Sequence, residues 1–214
     1  MNITYKVKSS RLISISFLAA MLWAVGLPVR ANDIINQQVH GKFINSYYEF
    51  PGPTECQKVI VYIFGDNTFT AQNGQKSVEV ANVGATYIIY DQCLDTYPSI
   101  ASGYVPMLSK FAVQVFQNRS QINAAFFIQD QVSALIPVSI NAVFKSDGNT
   151  YSSKDVFHDI GSDYVFIGRF FGSFTTAVPS GTITFGSTSY DLGTASYVDI
   201  LFGQANTGNI SISH

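Results

Sequence analysis

The segment Ile136-Pro-Val-Ser-Ile-Asn-Ala-Val-Phe144 decides the fold class of this chain. Apolar residues occupy every second position from Ile136 to Phe144, and the polar residues Ser139 and Asn141 lie between them. In an extended strand, successive side chains point to opposite faces of the sheet. The segment therefore predicts a strand that buries one face and exposes the other.

Similar segments, rich in β-branched and aromatic residues, lie on both sides of it. Gly, Ser, Thr and Asn separate them at intervals of about ten residues, a spacing typical of a sandwich or a barrel. The segments cover residues 43–50, 56–64, 85–91, 111–116, 122–129, 164–171, 181–185, 196–202 and 209–213. No window combines an apolar stripe of helical period with capping residues. We therefore expect an all-β protein, an antiparallel β-sandwich with few or no helices.

The start of the chain carries a different pattern. It opens with three basic residues, Lys6, Lys8 and Arg11. An uncharged run over 12–27 follows, and Val29-Arg-Ala31 then places small residues at the two positions that a signal peptidase reads. The run is shorter than the roughly 20 residues of a spanning helix. This order predicts a cleavable signal peptide over 1–31.

Cleavage would leave residues 32–214, which we expect to form one secreted domain, with 32–134 and 135–214 as packed subregions. This part has eight basic and fourteen acidic side chains, a formal charge of −6. Nucleic acid and anionic lipid both require clustered Lys and Arg, so the composition argues against both as partners. The destination stays open between the periplasm, the cell surface and the extracellular medium.

Two cysteines, Cys56 and Cys93, are present in the chain. In an exported protein such a pair usually forms a disulfide. We therefore expect the segments around them to lie side by side.

Three stretches of this part share features with known proteins. The first is Tyr90-Asp-Gln-Cys93 closing one strand, with Cys56 opening another. The second runs from Phe111 through Asn123-Ala-Ala125 and Asp130 to the alternating strand, and the third is Gly172-Ser-Phe-Thr-Thr-Ala177 with Ser180-Gly-Thr-Ile183. Together they resemble uncharacterised exported bacterial β-sandwich-like proteins with one disulfide. The resemblance implies secretion, β architecture and a disulfide, and it implies no chemistry.

Acidic residues and one histidine are concentrated between Lys145 and Tyr164, a polar segment that we expect to be a loop. The candidate metal ligands in it are Asp155, His158, Asp159 and Asp163. Carboxylates suit Ca²⁺, and His with carboxylates can hold Zn²⁺. Turn formation explains the same Asp and Gly residues, and the spacing matches no EF-hand. We expect no cofactor, with Ca²⁺ or Zn²⁺ as the alternative.

Tyrosines offer a second kind of site, because an exposed ring can stack on a sugar. The candidates for glycan stacking are Tyr47, Tyr48, Tyr97 and Tyr104. The alternative is that these rings fill the core or form cross-strand pairs. A carbohydrate site requires at least two coplanar, exposed rings on one face.

Catalytic signatures are missing from the sequence, which has no Gly-x-Ser-x-Gly, His-Glu-x-x-His, phosphate-binding or dinucleotide-binding motif. We expect a non-catalytic module of the envelope, surface or matrix that acts through protein contacts, including contacts with itself. An unpaired edge strand at 136–144 would template such contacts. The alternatives are a carbohydrate-binding module and a secreted hydrolase or metal-dependent enzyme that uses residues 155–163.

Overall fold

The computed structural model describes residues 34–76, 79–160 and 164–213, and strands occupy most of them. The strands are β1 Ile34–Pro51, β2 Gln57–Gln72, β3 Gln75–Lys76, β4 Val80–Asp91, β5 Thr96–Met107, β6 Val113–Val115, β7 Arg119–Asp130, β8 Leu135–Ile160, β9 Tyr164–Phe185, β10 Thr188–Asp191 and β11 Tyr197–Ser213. Two 3₁₀ turns, Lys110–Ala112 and Leu192–Thr194, complete the secondary structure of these ranges. The prediction of an all-β, antiparallel fold is confirmed. The predicted signal peptide, 1–31, lies outside the described residues.

All eleven strands belong to one antiparallel sheet, which closes on itself. Eight of them follow one another around it in the order β1, β2, β4, β5, β7, β8, β9, β11, and β11 pairs back onto β1. The short strands β3, β6 and β10 add to β2, β7 and β9. The expected boundary between subregions, at residues 134 and 135, falls in the turn between β7 and β8, which pair along most of β7. Residues on both sides of it share one core.

The alternating segment that predicts the fold lies in the middle of this sheet. Ile140 and Phe144 are fully buried, as the pattern requires. Strand β7 pairs with one side of the segment and β9 with the other. The expectation that residues 136–144 form an unpaired edge is therefore wrong, because both neighbours carry the same alternation and bury their apolar faces against the same core.

Among the eight strands that close the sheet, β5 and β7 share the shortest ladder of paired residues. These strands pair only at Ala101–Asp130 and Ser102–Gln129. Past that point they diverge, and a cavity of about 570 Å³ opens between them, with Met107 and Phe126 among its lining residues. The turn at 110–112 and strand β6 fill the interior behind it, and Val113 is fully buried. Side-chain packing thus completes the closure that hydrogen bonds leave unfinished.

Five strands extend together beyond one end of the closed region and form an extension of the sheet that we call the wall. It consists of residues 66–72 of β2, 34–43 of β1, 203–213 of β11, 164–174 of β9 and 151–160 of β8. The expectation of a loop between residues 145 and 163 is wrong for 145–160, which belong to β8. A register shift between Ser146 and Thr150 interrupts the strand, and β9 then provides partners as far as Ile160.

The disulfide between Cys56 and Cys93 is present, as expected, at the end of the sheet opposite the wall. The two Cα atoms are 5.4 Å apart. The bond joins the turn after β1 to the turn after β4, and the Gln92 amide donates a 2.8 Å hydrogen bond to the Cys56 carbonyl. The bond therefore fixes two hairpin connections to each other.

Replacement of both cysteines by serine, Cys56→Ser with Cys93→Ser, should lower the free energy of unfolding by about 4 kcal/mol. The bond spans 37 positions, and its loss restores the corresponding chain entropy to the unfolded state. Chemical denaturation of the oxidised protein and of the double variant measures the difference. Coincident denaturation midpoints would contradict this account.

Two phenylalanines on the β7–β8 hairpin test the position of the core. Phe144 is fully buried, whereas Phe127 is 57% exposed. Phe144→Ala should lower the free energy of unfolding by about 3 to 5 kcal/mol, because it leaves a cavity. The matched change Phe127→Ala should alter it by about 0.5 kcal/mol or less. Equal losses in the two variants would show that the buried face is misassigned.

Candidate functional site

The candidate metal ligands lie on the wall and not in a loop. Asp155 pairs with Phe170 and His158 with Ile167, and the ladder between them is regular. Since side chains alternate along a strand, Asp155 and His158 point to opposite faces.

The other two candidate ligands add no convergent group. Asp159 is opposite Phe166 in the ladder, and its side chain is outside the described part of the chain. Asp163 lies outside the described residues altogether. Across residues 34–76, 79–160 and 164–213, no group of three His, Cys, Asp or Glu side chains is placed to hold a metal. A Ca²⁺ or Zn²⁺ site thus stays a prediction that these positions do not support.

The four candidate stacking tyrosines separate in the same way. Tyr48 is fully buried and packs on Phe50 in the core. Its assignment to glycan stacking is therefore wrong. Tyr47 precedes it in the strand and consequently points outward. Tyr97 and Tyr104 lie on the outer surface of β5 and remain about half exposed.

An aromatic surface covers the outside of the sheet at the disulfide end. It contains Tyr197 of β11, Tyr47 of β1, Tyr62 of β2, Tyr90 of β4 and Tyr97 of β5, and we call it the tyrosine face. The ring of Tyr47 contacts Tyr62 at 5.0 Å and Tyr197 at 5.7 Å, with interplanar angles of 65° and 72°. Tyr90 and Tyr97 lie 5.1 Å apart at 33°. The rings thus form a cluster of three on β11, β1 and β2 and a separate pair on β4 and β5.

One ion pair lies within the tyrosine face. The Lys58 ammonium donates to the Glu49 carboxylate at 2.9 Å, and the Tyr47 hydroxyl donates to the same carboxylate at 2.6 Å. It is the single Lys or Arg to carboxylate pair within the described ranges. Burial, with the Glu49 hydrogen bond, raises the pKa of Tyr47 well above its ordinary value. Tyr47 therefore remains a protonated donor. The face also holds Asp199, which is directly opposite Tyr47 on β11, and Asp95, which accepts a 2.8 Å hydrogen bond from the Tyr90 hydroxyl.

A buried carboxylate lies farther along the outer surface. Asp66 is 8% exposed and accepts hydrogen bonds from the Tyr104 hydroxyl, from Asn82 Nδ2 at 2.9 Å and from Thr68 Oγ1 at 3.4 Å. The Tyr104 ring lies over Gly84, where an added Cβ would approach it to 2.9 Å. This cluster ties β2, β4 and β5 together, and it holds Tyr104 against the sheet.

Burial governs the ionisation of this cluster. It raises the pKa of Asp66 above its ordinary value of 3.8, although the three hydrogen bonds act in the opposite direction. Burial and the nearby carboxylate raise the pKa of Tyr104 in turn. None of the groups around Asp66 is a cation, so charge compensation is absent from this site in the described structure.

Sequence reasoning did not identify Tyr62, Tyr197 or the Glu49–Lys58 pair as parts of a site. Each lies on an outward position of its own strand, which alternation alone could have indicated. Their assembly depends on strand order, because Tyr197 and Tyr47 are far apart in sequence. Only the pairing of β1 with β11 and β2 brings them together.

Comparisons with known proteins add little to this geometry. No protein-family model matches the chain, and no curated protein is significantly similar to it. A solved structure from Nitrosomonas europaea, provisionally assigned as AttH, is similar over 88% of this chain and 57% of its own length. The identity is 9% and the TM-score is 0.20. The chain thus spans little more than half of that structure, and a similarity at this level supports no argument about function.

Within the described residues, no helix is long and apolar enough to cross a membrane.

Ionisation of Asp66 should weaken the fold. A folded-state pKa above the unfolded value of 3.8 stabilises the protein below that pH, and this contribution is lost as the pH rises through the folded-state pKa. Asp66→Asn has no carboxyl to ionise and therefore lacks this pH-dependent contribution. As the pH rises from 3 to neutrality, the variant should become more stable relative to wild type. Thermal unfolding of both proteins across this range measures it. A pH-independent difference between the two would contradict the prediction.

Proposed function

We propose that the protein is a secreted, non-catalytic module of the envelope, surface or matrix that acts through protein contacts. The tyrosine face is the contact surface in this proposal. The observation that carries it is the presence of five outward tyrosines on five adjacent strands, with a single internal ion pair among them.

The composition of this surface supports a protein partner. Protein interfaces are enriched in Tyr and depleted of unpaired charge at their centres. Tyr197 and Tyr97 are 44% and 54% exposed, so their rings retain area that a partner could bury. Partly buried isoleucines, among them Ile60 and Ile88, lie between the tyrosine rows. Such a continuous apolar surface is typical of an interaction site.

The partner that fits best is a second copy of the chain. In a twofold contact the same patch meets itself, so each charge must find its opposite on the same patch. The Glu49–Lys58 pair meets this condition for its own two charges, because Lys58 of each copy can approach Glu49 or Asp199 of the other.

The two alternative functions have weaker support. A carbohydrate-binding module requires coplanar exposed rings, whereas Tyr47 packs edge to face against both of its neighbours. An enzyme that uses residues 155–163 requires convergent ligands, whereas Asp155 and His158 point to opposite faces. Contact through the free edge of β8 at 151–160 is also disfavoured, since charged side chains on an edge strand oppose pairing.

Sedimentation velocity over a concentration series tests the proposed contact. The purified, disulfide-bonded protein should form dimers as its concentration rises. Tyr197→Glu places a carboxylate beside Glu49 and should raise the dimer dissociation constant by about tenfold or more. Tyr151→Glu is the matched control, because Tyr151 is 40% exposed and lies on β8, outside the tyrosine face.

The same experiment separates the alternatives. A protein that stays monomeric at every concentration, or a dimer that both variants weaken equally, would refute the contact through the tyrosine face. Binding of neutral oligosaccharides that Tyr197→Glu abolishes, with no self-association, would replace this function with carbohydrate binding.

A further inference from the structure

The inner face of the wall carries a second, separate set of side chains. It continues the row of Ile44, Phe202, Thr175 and Thr150, of which the first three are buried at the end of the core. Because directly paired residues share a face, every second residue of each wall strand belongs to it. The tyrosine face lies on the other side of the sheet and at its other end.

This inner face is cationic. Its ionisable side chains are Lys42 and His40 of β1, Arg169 of β9, and Lys154 and His158 of β8. No Asp or Glu occupies an inner position of the wall within the described residues, and Asp155 points to the outer face. A protein with an overall excess of acidic residues thus concentrates positive charge on one face of the wall.

The cations are available to a ligand. Lys42, Lys154 and Arg169 are exposed, and none of them is in an ion pair in the described structure. Lys154 Nζ lies 5.3 Å from the centre of the Phe171 ring. Arg169 is opposite Val156 on one side and Gly208 on the other, so its guanidinium has no acidic neighbour in the ladder. Lys154 and Arg169 are diagonal neighbours on adjacent strands, for which sheet geometry places the two residues' backbone positions about 7 to 8 Å apart.

Apolar and hydrogen-bonding groups alternate with these charges. The His40 ring stacks on Phe69 at 4.9 Å, and its Nδ1 is 2.6 Å from Asn206 Oδ1. Phe171 is 47% exposed between Lys154 and Asn206. The face therefore presents aromatic rings, amide groups and cations in adjacent rows.

A cavity of about 570 Å³ lies at the base of the wall. Lys42, Gln204 and Ser173 line one side of it, and Phe116 and Gln117 line the other. The volume is within the range of small-molecule sites, about 300 to 1,000 Å³. The cavity is continuous with the cationic rows above it, because Lys42 belongs to both.

We propose that the inner face of the wall binds an acidic polysaccharide. Its carboxylates pair with Lys154, Arg169 and Lys42, its hydroxyls bond to Asn206, Gln204 and Ser173, and its apolar ring faces contact Phe171. The terminal sugars occupy the cavity beside Lys42. This binding is independent of the tyrosine face and of self-association.

The geometry disfavours other polyanions. A flat lipid surface would leave empty the cavity beside Lys42, which Phe116 and Gln117 also line. An acidic peptide would satisfy the cations but would leave the amide and hydroxyl groups of Gln204 and Ser173 without the dense hydroxyl partners that a sugar supplies. The combination of cations, aromatic rings and hydrogen-bonding side chains on one face thus favours a charged sugar polymer.

Titration calorimetry of the disulfide-bonded protein with polygalacturonate oligomers tests the proposal. Binding should weaken as salt rises, and neutral dextran should not bind. Lys154→Gln and Arg169→Gln should each raise the dissociation constant about tenfold. Lys145→Gln removes one positive charge from an exposed position on the outer face of β8, away from both surfaces, and should leave the affinity unchanged. The two wall residues are exposed, so unchanged melting temperatures should confirm that these variants remain folded.

Three results would overturn the proposal: no binding of polygalacturonate, equal weakening by Lys145→Gln and the wall variants, or tighter binding of polyglutamate with the same dependence on Lys154 and Arg169. The last would assign the wall to an acidic protein partner. The dimer measurement is separate, so failure of either proposal leaves the other standing.

Discussion

The pairing of β1 with β2 on one side and β11 on the other is the constraint on which the structure depends. It joins the first and the last of the described strands and closes the sheet, so each principal strand has a neighbour on both sides in the closed region. Because the sheet is closed, one of its faces lines the core and the other forms the outer surface. The same pairing continues past Phe43 into the wall, where the inner face is no longer covered by core residues.

Local alternation made the fold class predictable, whereas strand order did not follow from the sequence. The pattern at 136–144 is short-range, and it correctly identified Ile140 and Phe144 as buried. Whether that strand is central or at an edge depends on residues 119–129 and 177–185, whose positions no local pattern reveals. The segment 150–160 looked like a loop because nearly all of its described side chains, on both faces of β8, are exposed, and alternation of hydrophobicity then disappears.

The candidate sites were less predictable, because strand direction, order and register decide which side chains share a face. Tyr47 and Tyr48 are adjacent and therefore point to opposite faces, so they could never form one platform. Asp155 and His158 differ by an odd number of positions in a regular strand and separate likewise. The disulfide was predictable because a single pair of cysteines, in a chain expected to be exported, usually forms one. The cationic face was not, because its members come from three strands and become neighbours only through the observed register.

Strand β1 contributes to both surfaces, with Tyr47 near the disulfide end and His40 and Lys42 in the wall. The two surfaces lie at opposite ends of the molecule, so occupation of one leaves the other accessible. A dimer formed through the tyrosine face would hold two cationic walls in one particle. Such a particle is bivalent, and the strength with which it binds a long polymer would depend on avidity more than on the affinity of either wall. The length of the polymer would then decide whether chains are retained or cross-linked into a network.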